Sequence, residues 1–312
     1  MYERFYNLSG KPFRLNPDSA FFYASSGHRR AMAYLEYGVH QGEGFIVITG
    51  EVGAGKTTLV RNLFDHLNNE QLCAVQLVST QLDATDMLRA VCLAFGLPGE
   101  GSKATLLFNL ETHLMDLQRA GQSALLVVDE AQNLEPSAVE ELRMLSNFQT
   151  SKGSLLQSFL LGQPEFRETL QSPSMQQLRQ RVIATYHLGP MSADETRAYI
   201  EHRLRHVGWM EDPEFTDDAF EAIHEASEGV PRRINTTCDR LLLMGFLEEL
   251  HSFDRAVVDE VAREIEQDFN APRQPMADEA DEAEATGHME AVVDSAPPEP
   301  SDTPGFSEAL DP

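Results

Sequence analysis

The fourteen residues 45–58, FIVITGEVGAGKTT, leave this chain few folds to choose from. Phe45, Ile46, Val47 and Ile48 form an unbroken apolar run, the pattern of a strand buried on both faces. The run leads into Gly50-x-x-x-x-Gly55-Lys56-Thr57, the phosphate-binding loop pattern. Gly50, Gly53 and Gly55 let the backbone curl so that its N–H groups face a phosphate, and a helix opening near Lys56 adds its positive end. Glu51, Val52, Ala54 and Thr58 complete this cofactor-binding stretch. In it Lys56 reaches β- and γ-phosphates and the Thr57 hydroxyl is placed for Mg²⁺. A glycine-rich turn with no ligand would not need eight matching positions in strand–loop–helix order. The loop predicts an α/β fold and a nucleoside triphosphate, and leaves open what the energy is used for.

The rest of the composition narrows the classes. Formal net charge is −26 over 312 residues, so the surface as a whole repels a phosphate backbone and nucleic acid is not the expected partner. Cys73, Cys92 and Cys238 are odd in number and far apart, which suits reduced thiols rather than a metal site. No stretch reaches the roughly 18 apolar residues of a membrane span, and the first residues do not read as a signal peptide. The expected location is cytoplasmic, peripheral to the inner membrane only through a partner.

In chain order, residues 1–44 read as an aromatic arm packed on the core, then a helix over 28–40. Tyr23 or His28 could touch a base, although packing alone also accounts for these rings. Residues 45–188 read as the α/β core. Strands are expected at 73–78, 123–128, 154–161 and 182–188, with helices from Lys56 to about 67, over 84–95 behind the cap Asp83, over 103–119, and from Pro136 with Val139, Leu142, Met144 and Leu145 inward. A short helix spans 175–181. Residues 189–270 read as a small all-helical lid, with a capping box at Ser192 and Glu195 and Leu204, Val207 and Trp209 in its core. Residues 271–312 hold 11 acidic residues, one arginine and seven prolines, which predicts a disordered acidic tail. Phe306 and Leu310 in it suit a docking motif, and equally a plain solvated tail.

Several polar residues fall where catalysis needs them. Asp129 and Glu130 follow a buried run at the end of a strand, where ligands bind in open α/β sheets. Asp129 suits Mg²⁺, and Glu130 suits orienting and deprotonating a water, which favours hydrolysis over transfer to a small molecule. The spacing leaves room for a strand between this one and the loop strand. Gln163, at the tip of the 154–161 strand, suits sensing a γ-phosphate, or simply forming a turn. Arg179 and Arg181 sit at a helix end where an arginine either complements the helix dipole or reaches a neighbouring subunit's site as an arginine finger. Arg232 and Arg233 lie in the first turn after Pro231, where positive charge opposes the dipole by about 0.3–1 kcal/mol each. A phosphate facing that turn would offset the cost. A pairing with Glu225 or Glu228 would also do so.

Taken together, Phe5-Tyr6-x-Leu8-x-x-x-Pro12-Phe13, Gly44-Phe45-x-x-x-Thr49-Gly50-Glu51-x-Gly53-x-Gly55-Lys56-Thr57-Thr58, Val128-Asp129-Glu130-Ala131-Gln132, Leu161-Gly162-Gln163-Pro164-Glu165, Leu178-Arg179-Gln180-Arg181 and Gly229-Val230-Pro231-Arg232-Arg233-Ile234-Asn235 resemble AAA+ ATPases. More narrowly they resemble the general secretion pathway protein A type, and within it the secretion ATPases of PEP-CTERM/exosortase loci. The resemblance covers about residues 1–270. It implies a P-loop NTPase (AAA+) α/β fold with a parallel five-stranded sheet followed by a helical lid, Mg²⁺ and ATP as cofactors, and a homo-oligomer completed by a trans arginine finger. It also implies inner-membrane export or exosortase-linked partner proteins, in exopolysaccharide and protein sorting. The competing expectations are a DNA-associated AAA+ ATPase of the transposition-helper kind, disfavoured by the acidic charge, and a small-molecule phosphotransferase, disfavoured by Glu130.

Overall fold

Five runs rich in β-branched and apolar residues pair into one parallel sheet in the computed structural model, which describes residues 1–16, 18–66, 71–78 and 81–270. The strands are β1 (Phe45–Gly50), β2 (Leu72–Val78), β3 (Ser123–Asp129), β4 (Gln157–Gly162) and β5 (Val182–Leu188). Their order across the sheet is β2-β3-β4-β1-β5. The three central strands are buried along almost their whole length, as continuous apolar runs demand, whereas edge strand β5 alternates. The strand expected between the loop strand and the Asp129 strand is β4, in register with both. It starts later than expected. Gly153–Ser154 turns back in a hairpin onto Gln149–Thr150, and the Leu155 N–H donates to the Phe148 carbonyl, so pairing in the sheet begins only at Gln157.

Helices α1 (Tyr2–Phe5) and α2 (Ser26–Gln41) precede β1, and α3 (Lys56–His66), α4 (Ala84–Ala94), α5 (Lys103–Arg119), α6 (Pro136–Leu145), α7 (Pro164–Gln171) and α8 (Gln176–Arg179) connect the strands. Side chains of Ser25, Asp83 and Ser102 cap α2, α4 and α5 by accepting backbone N–H groups. In α6 the buried stripe is Ala138, Val139, Glu141, Leu142 and Leu145, while Met144, expected inward, is 44% exposed. It lies off that 3.6-residue stripe. Helix α7, not among the expected helices, starts with Pro164 at its first turn, and the expected 175–181 helix is a 3₁₀ turn followed by α8.

After Gly189 the chain forms α9 (Ala193–His206), α10 (Asp217–Ser227), α11 (Pro231–Leu247) and α12 (Arg255–Asn270). The Ser192/Glu195 capping box is present. One short parallel pair, Glu214–Phe215 with Ser252–Phe253, interrupts the otherwise helical lid. The arm divides differently from expectation. Tyr2, Tyr6, Leu8, Phe13 and Phe21 belong to the lid's apolar core with Leu204, Val207, Leu241 and Phe253, whereas Phe22 packs with the sheet and α2. A buried guanidinium secures the arm: Arg203 donates to the carbonyls of Pro12 (2.7 Å) and Arg14 (3.5 Å) and to the Tyr199 hydroxyl (2.7 Å), and sits 5.0 Å above the Phe21 ring. The three cysteines are free. None of the described helices is long and apolar enough to cross a membrane. The acidic stretch 271–312, with Phe306 and Leu310, lies outside the described residues.

Candidate active site

The loop between β1 and α3 places its glycines where a side chain could not go. Gly53 (φ +83°) and Gly55 (φ +96°) adopt left-handed backbone. A Cβ on Gly55 would stand 2.8 Å from the His28 ring, and one on Gly53 would stand 2.3 Å from Cβ of Arg232. The loop is thus clasped from below by α2 and from above by α11. His28 is buried, its Nε2 donates to the Ala54 carbonyl (3.1 Å), and its Nδ1 is 2.7 Å from the Ser25 hydroxyl. A carbonyl only accepts, so the imidazole is held with Nε2 protonated and Nδ1 as the acceptor. Burial lowers its pKa, against smaller opposing effects of the Ala54 hydrogen bond and Glu195.

Lys56 is 6% exposed, and its ammonium donates to the carbonyls of Gly50 (2.6 Å) and Glu51 (3.0 Å). Burial lowers its pKa, and Glu130, Asp129 and Glu51 work in the opposite direction. The Thr57 hydroxyl donates to Oδ2 of Asp129 at 2.7 Å. Gln76 of β2 donates to the same oxygen at 3.3 Å, and the Glu130 N–H donates to Oδ1 at 3.0 Å. Asp129 is therefore buried and aimed, with its charge satisfied by three donors. The hydroxyl and carboxylate are hard oxygen ligands of the kind Mg²⁺ takes, and Thr57 with Asp129 fits that ion.

Glu130 has left-handed backbone (φ 53°, ψ 42°), uncommon for a residue with a side chain. Its Oε2 accepts from Nε2 of Gln132 at 2.6 Å and from Nε2 of Gln163 at 3.3 Å. Oε1 of Gln132 accepts from the Gln163 N–H at 3.0 Å. A hollow of about 210 Å³ is lined by Val52, Gly53, Gly55, Lys56, Thr57, Thr58, Glu130 and Arg232, and by His28 and Tyr23. Arg232 lies over the loop, its N–H donating to the Gly53 carbonyl at 3.2 Å. Its neighbour Arg233 pairs with Glu228 instead (2.7 Å), and Glu225 with Arg255.

The two arginines of the α8 region do not join this hollow. Arg181 precedes Val182, which pairs with Phe45 at the start of β1, while Gly50 pairs with Leu188. Five strand residues, about 17 Å, separate the two ends. Arg181 donates to the Ser146 hydroxyl (2.8 Å) and to Oδ1 of Asn147, and Arg179 donates to the Leu170 carbonyl (3.1 Å). Gln76, Gln132 and the supporting role of His28 were missed in the sequence. Gln132 had a usable signal, since it lies only two residues beyond Glu130, within reach of that carboxylate for a side chain of its length. Gln76 and His28 are joined to the site only through space.

Residues 39–170 match the family model described as an AAA domain. The chain has the AAA P-loop NTPase fold. Solved structures with this AAA fold include the Aeropyrum pernix ORC2 protein in ADPNP–ADP complexes, with a TM-score of 0.59, 16% identity, and coverage of 80% of this chain and 72% of that one. Cdc6p from Pyrobaculum aerophilum has a TM-score of 0.60 and 14% identity over 80% of this chain and 71% of that one. At such identities the likeness concerns the AAA fold alone. In sequence the chain is 40% identical to general secretion pathway protein A of Aeromonas hydrophila over 267 residues, 85% of this chain and 48% of that protein. The chain spans about half the length of that relative.

Proposed function

We propose that the chain binds Mg²⁺ and ATP in the hollow over residues 50–58 and hydrolyses the terminal phosphate. The observation that carries this reading is the convergence of Lys56, Thr57 and Glu130 on one cavity, with Asp129 bonded to the Thr57 hydroxyl behind it. Lys56 stands at the loop as a fixed positive charge for the β- and γ-phosphates. Mg²⁺ held by Thr57 and Asp129 would neutralise charge developing on the phosphate oxygens. Glu130 orients a water and takes its proton. The water oxygen then bonds to the γ-phosphorus as the bond to the bridging oxygen breaks, and ADP departs with those electrons. Gln163 and Arg232 act as sensors of the γ-phosphate, one on the sheet and one on the lid. Glu130→Gln is expected to keep nucleotide binding and lose nearly all turnover. Unchanged turnover would remove Glu130 from the chemistry.

Arg179 or Arg181 completes the site of a neighbouring copy. The distance of Arg181 from the chain's own loop supports action in trans, and mixing Arg181→Ala with Lys56→Ala subunits is then expected to restore part of the lost activity. Similarity to general secretion pathway protein A supports an ATPase that drives or regulates envelope export through inner-membrane partners, and the motif resemblance narrows this to exosortase-linked sorting with exopolysaccharide. The opposing reading, a DNA-associated ATPase, predicts tight ATP-dependent duplex retention on a filter at low salt. A chain with 50 acidic residues against 24 basic ones is expected to show none.

A further inference from the structure

We infer that Gln132 is a positioning residue that holds the Glu130 carboxylate in its working orientation, and that it does so as a strut between the tips of β3 and β4. The inference rests on the hydrolytic reading above and concerns a residue to which that reading gives no part.

Its carboxamide is used at both ends. The NH₂ group donates to Oε2 of Glu130 at 2.6 Å, and the carbonyl oxygen accepts the Gln163 N–H at 3.0 Å. A planar amide bonded at both ends cannot rotate without breaking one bond, so the position of Oε2 is tied to the backbone of β4. The Gln163 side chain donates to the same Oε2 at 3.3 Å. Both donors therefore converge on one carboxylate oxygen. Oε1 takes no hydrogen bond from the described residues and is the oxygen left to receive a proton from water.

The backbone explains why the strut is needed. Glu130 is left-handed at φ 53°, which costs a residue with a Cβ about 1–2 kcal/mol. Such a conformation persists only where its surroundings over-determine it. The 3₁₀ turn Ala131–Asn133 follows at once, closed by the Asn133 N–H on the Glu130 carbonyl, and it brings Gln132 back onto the carboxylate. Both ends of the Gln132 amide are taken up by Glu130 and Gln163, so it acts on the chemistry through Glu130 and not through nucleotide.

The test uses the full chain, ATP and Mg²⁺, and compares Gln132→Met, close in shape without the amide, with Glu130→Gln and the double variant. Gln132→Met is expected to lower kcat by about 100-fold, the scale of a 1 Å misplacement, with KM and ADP affinity within twofold. Gln132→Glu keeps the acceptor for Gln163 but sets a carboxylate against Glu130, and is expected to be as slow. In the Glu130→Gln background Gln132→Met is expected to add nothing, because its route to the reaction is already gone. Normal turnover by Gln132→Met beside an inactive Glu130→Gln overturns the inference alone. So does a loss of ADP binding or a further additive loss in the double variant. Normal turnover by Glu130→Gln overturns the hydrolytic reading and this inference with it.

Discussion

Gly53→Ala perturbs a point where lid and loop backbones meet. Gly53 is left-handed at φ +83°, and alanine there costs about 1–2 kcal/mol. The added methyl would stand 2.3 Å from Cβ of Arg232, 3.0 Å from its Cδ and 3.2 Å from its Cγ. The nearest of these atoms is fixed to the α11 backbone and cannot swing aside. Restoring an ordinary carbon contact requires the start of α11 to withdraw by about 1 Å or more. That withdrawal carries the Arg232 N–H, now 3.2 Å from the Gly53 carbonyl, out of hydrogen-bond reach, at about 1 kcal/mol. The left-handed strain is borne by the free fold too and shows in the melting temperature, whereas the lost lid contact, about 1 kcal/mol or more, acts against the nucleotide-binding arrangement, roughly fivefold or more in affinity. Titration calorimetry with ADP and a non-hydrolysable ATP analogue reads this directly. Gly121→Ala is the control: φ is +80° but nothing lies within 4 Å, so it should lower the melting temperature and leave nucleotide affinity unchanged. Binding by Gly53→Ala within about threefold of the parent would refute the claim that the lid rests on the loop through this contact.

Three further outcomes follow from packing and charge. The pKa of His28 is lowered in the fold, so the unfolded chain binds the extra proton first, and this residue's stabilising effect is complete above the ordinary histidine pKa and is lost as pH falls from there through the lowered folded value. His28→Gln should therefore flatten the fall in melting temperature between pH 7 and 5, and an unaltered difference curve would contradict this. Arg203→Met removes the donors that hold the Pro12 and Arg14 carbonyls and should cost about 2–4 kcal/mol, with faster hydrogen exchange over the first 16 residues. No change in exchange there would show that the aromatic contacts alone secure the arm. Glu141 is 5% exposed and pairs with half-exposed Lys103, while its Oε2 is buried without a partner. In urea unfolding Glu141→Met should be close to neutral and Lys103→Met clearly destabilising, since only the second leaves a buried carboxylate uncompensated. Equal losses would reject that asymmetry.

Locally encoded features were legible in the chain. The buried strand, the glycines, Lys56, Thr57 and the Asp129–Glu130 pair lie within short windows, and their spacing is dictated by strand and helix geometry. The capping residues Asp83 and Ser192 were readable for the same reason. Misreadings arose where neighbours in space overrode local pattern. The hairpin at 149–154 took the first residues of the expected β4, and the arm's rings went to the lid because Arg203, some 190 residues away, binds the Pro12 carbonyl.

What the sequence by itself determined is a phosphate-binding loop on a parallel sheet, with two carboxylates at the tip of a second strand. Periodicity and covalent spacing suffice for that. Only the tertiary structure decided how those parts are held. Strand order put β4 between β3 and β1, and so brought Gln163 onto a carboxylate 33 residues earlier in the chain. The same packing set His28 beneath the loop and Arg232 above it, and it left Arg181 at the far end of the sheet. Hydrogen bonds and steric contacts between distant segments depend on which elements become neighbours, and no local stretch of sequence carries that information.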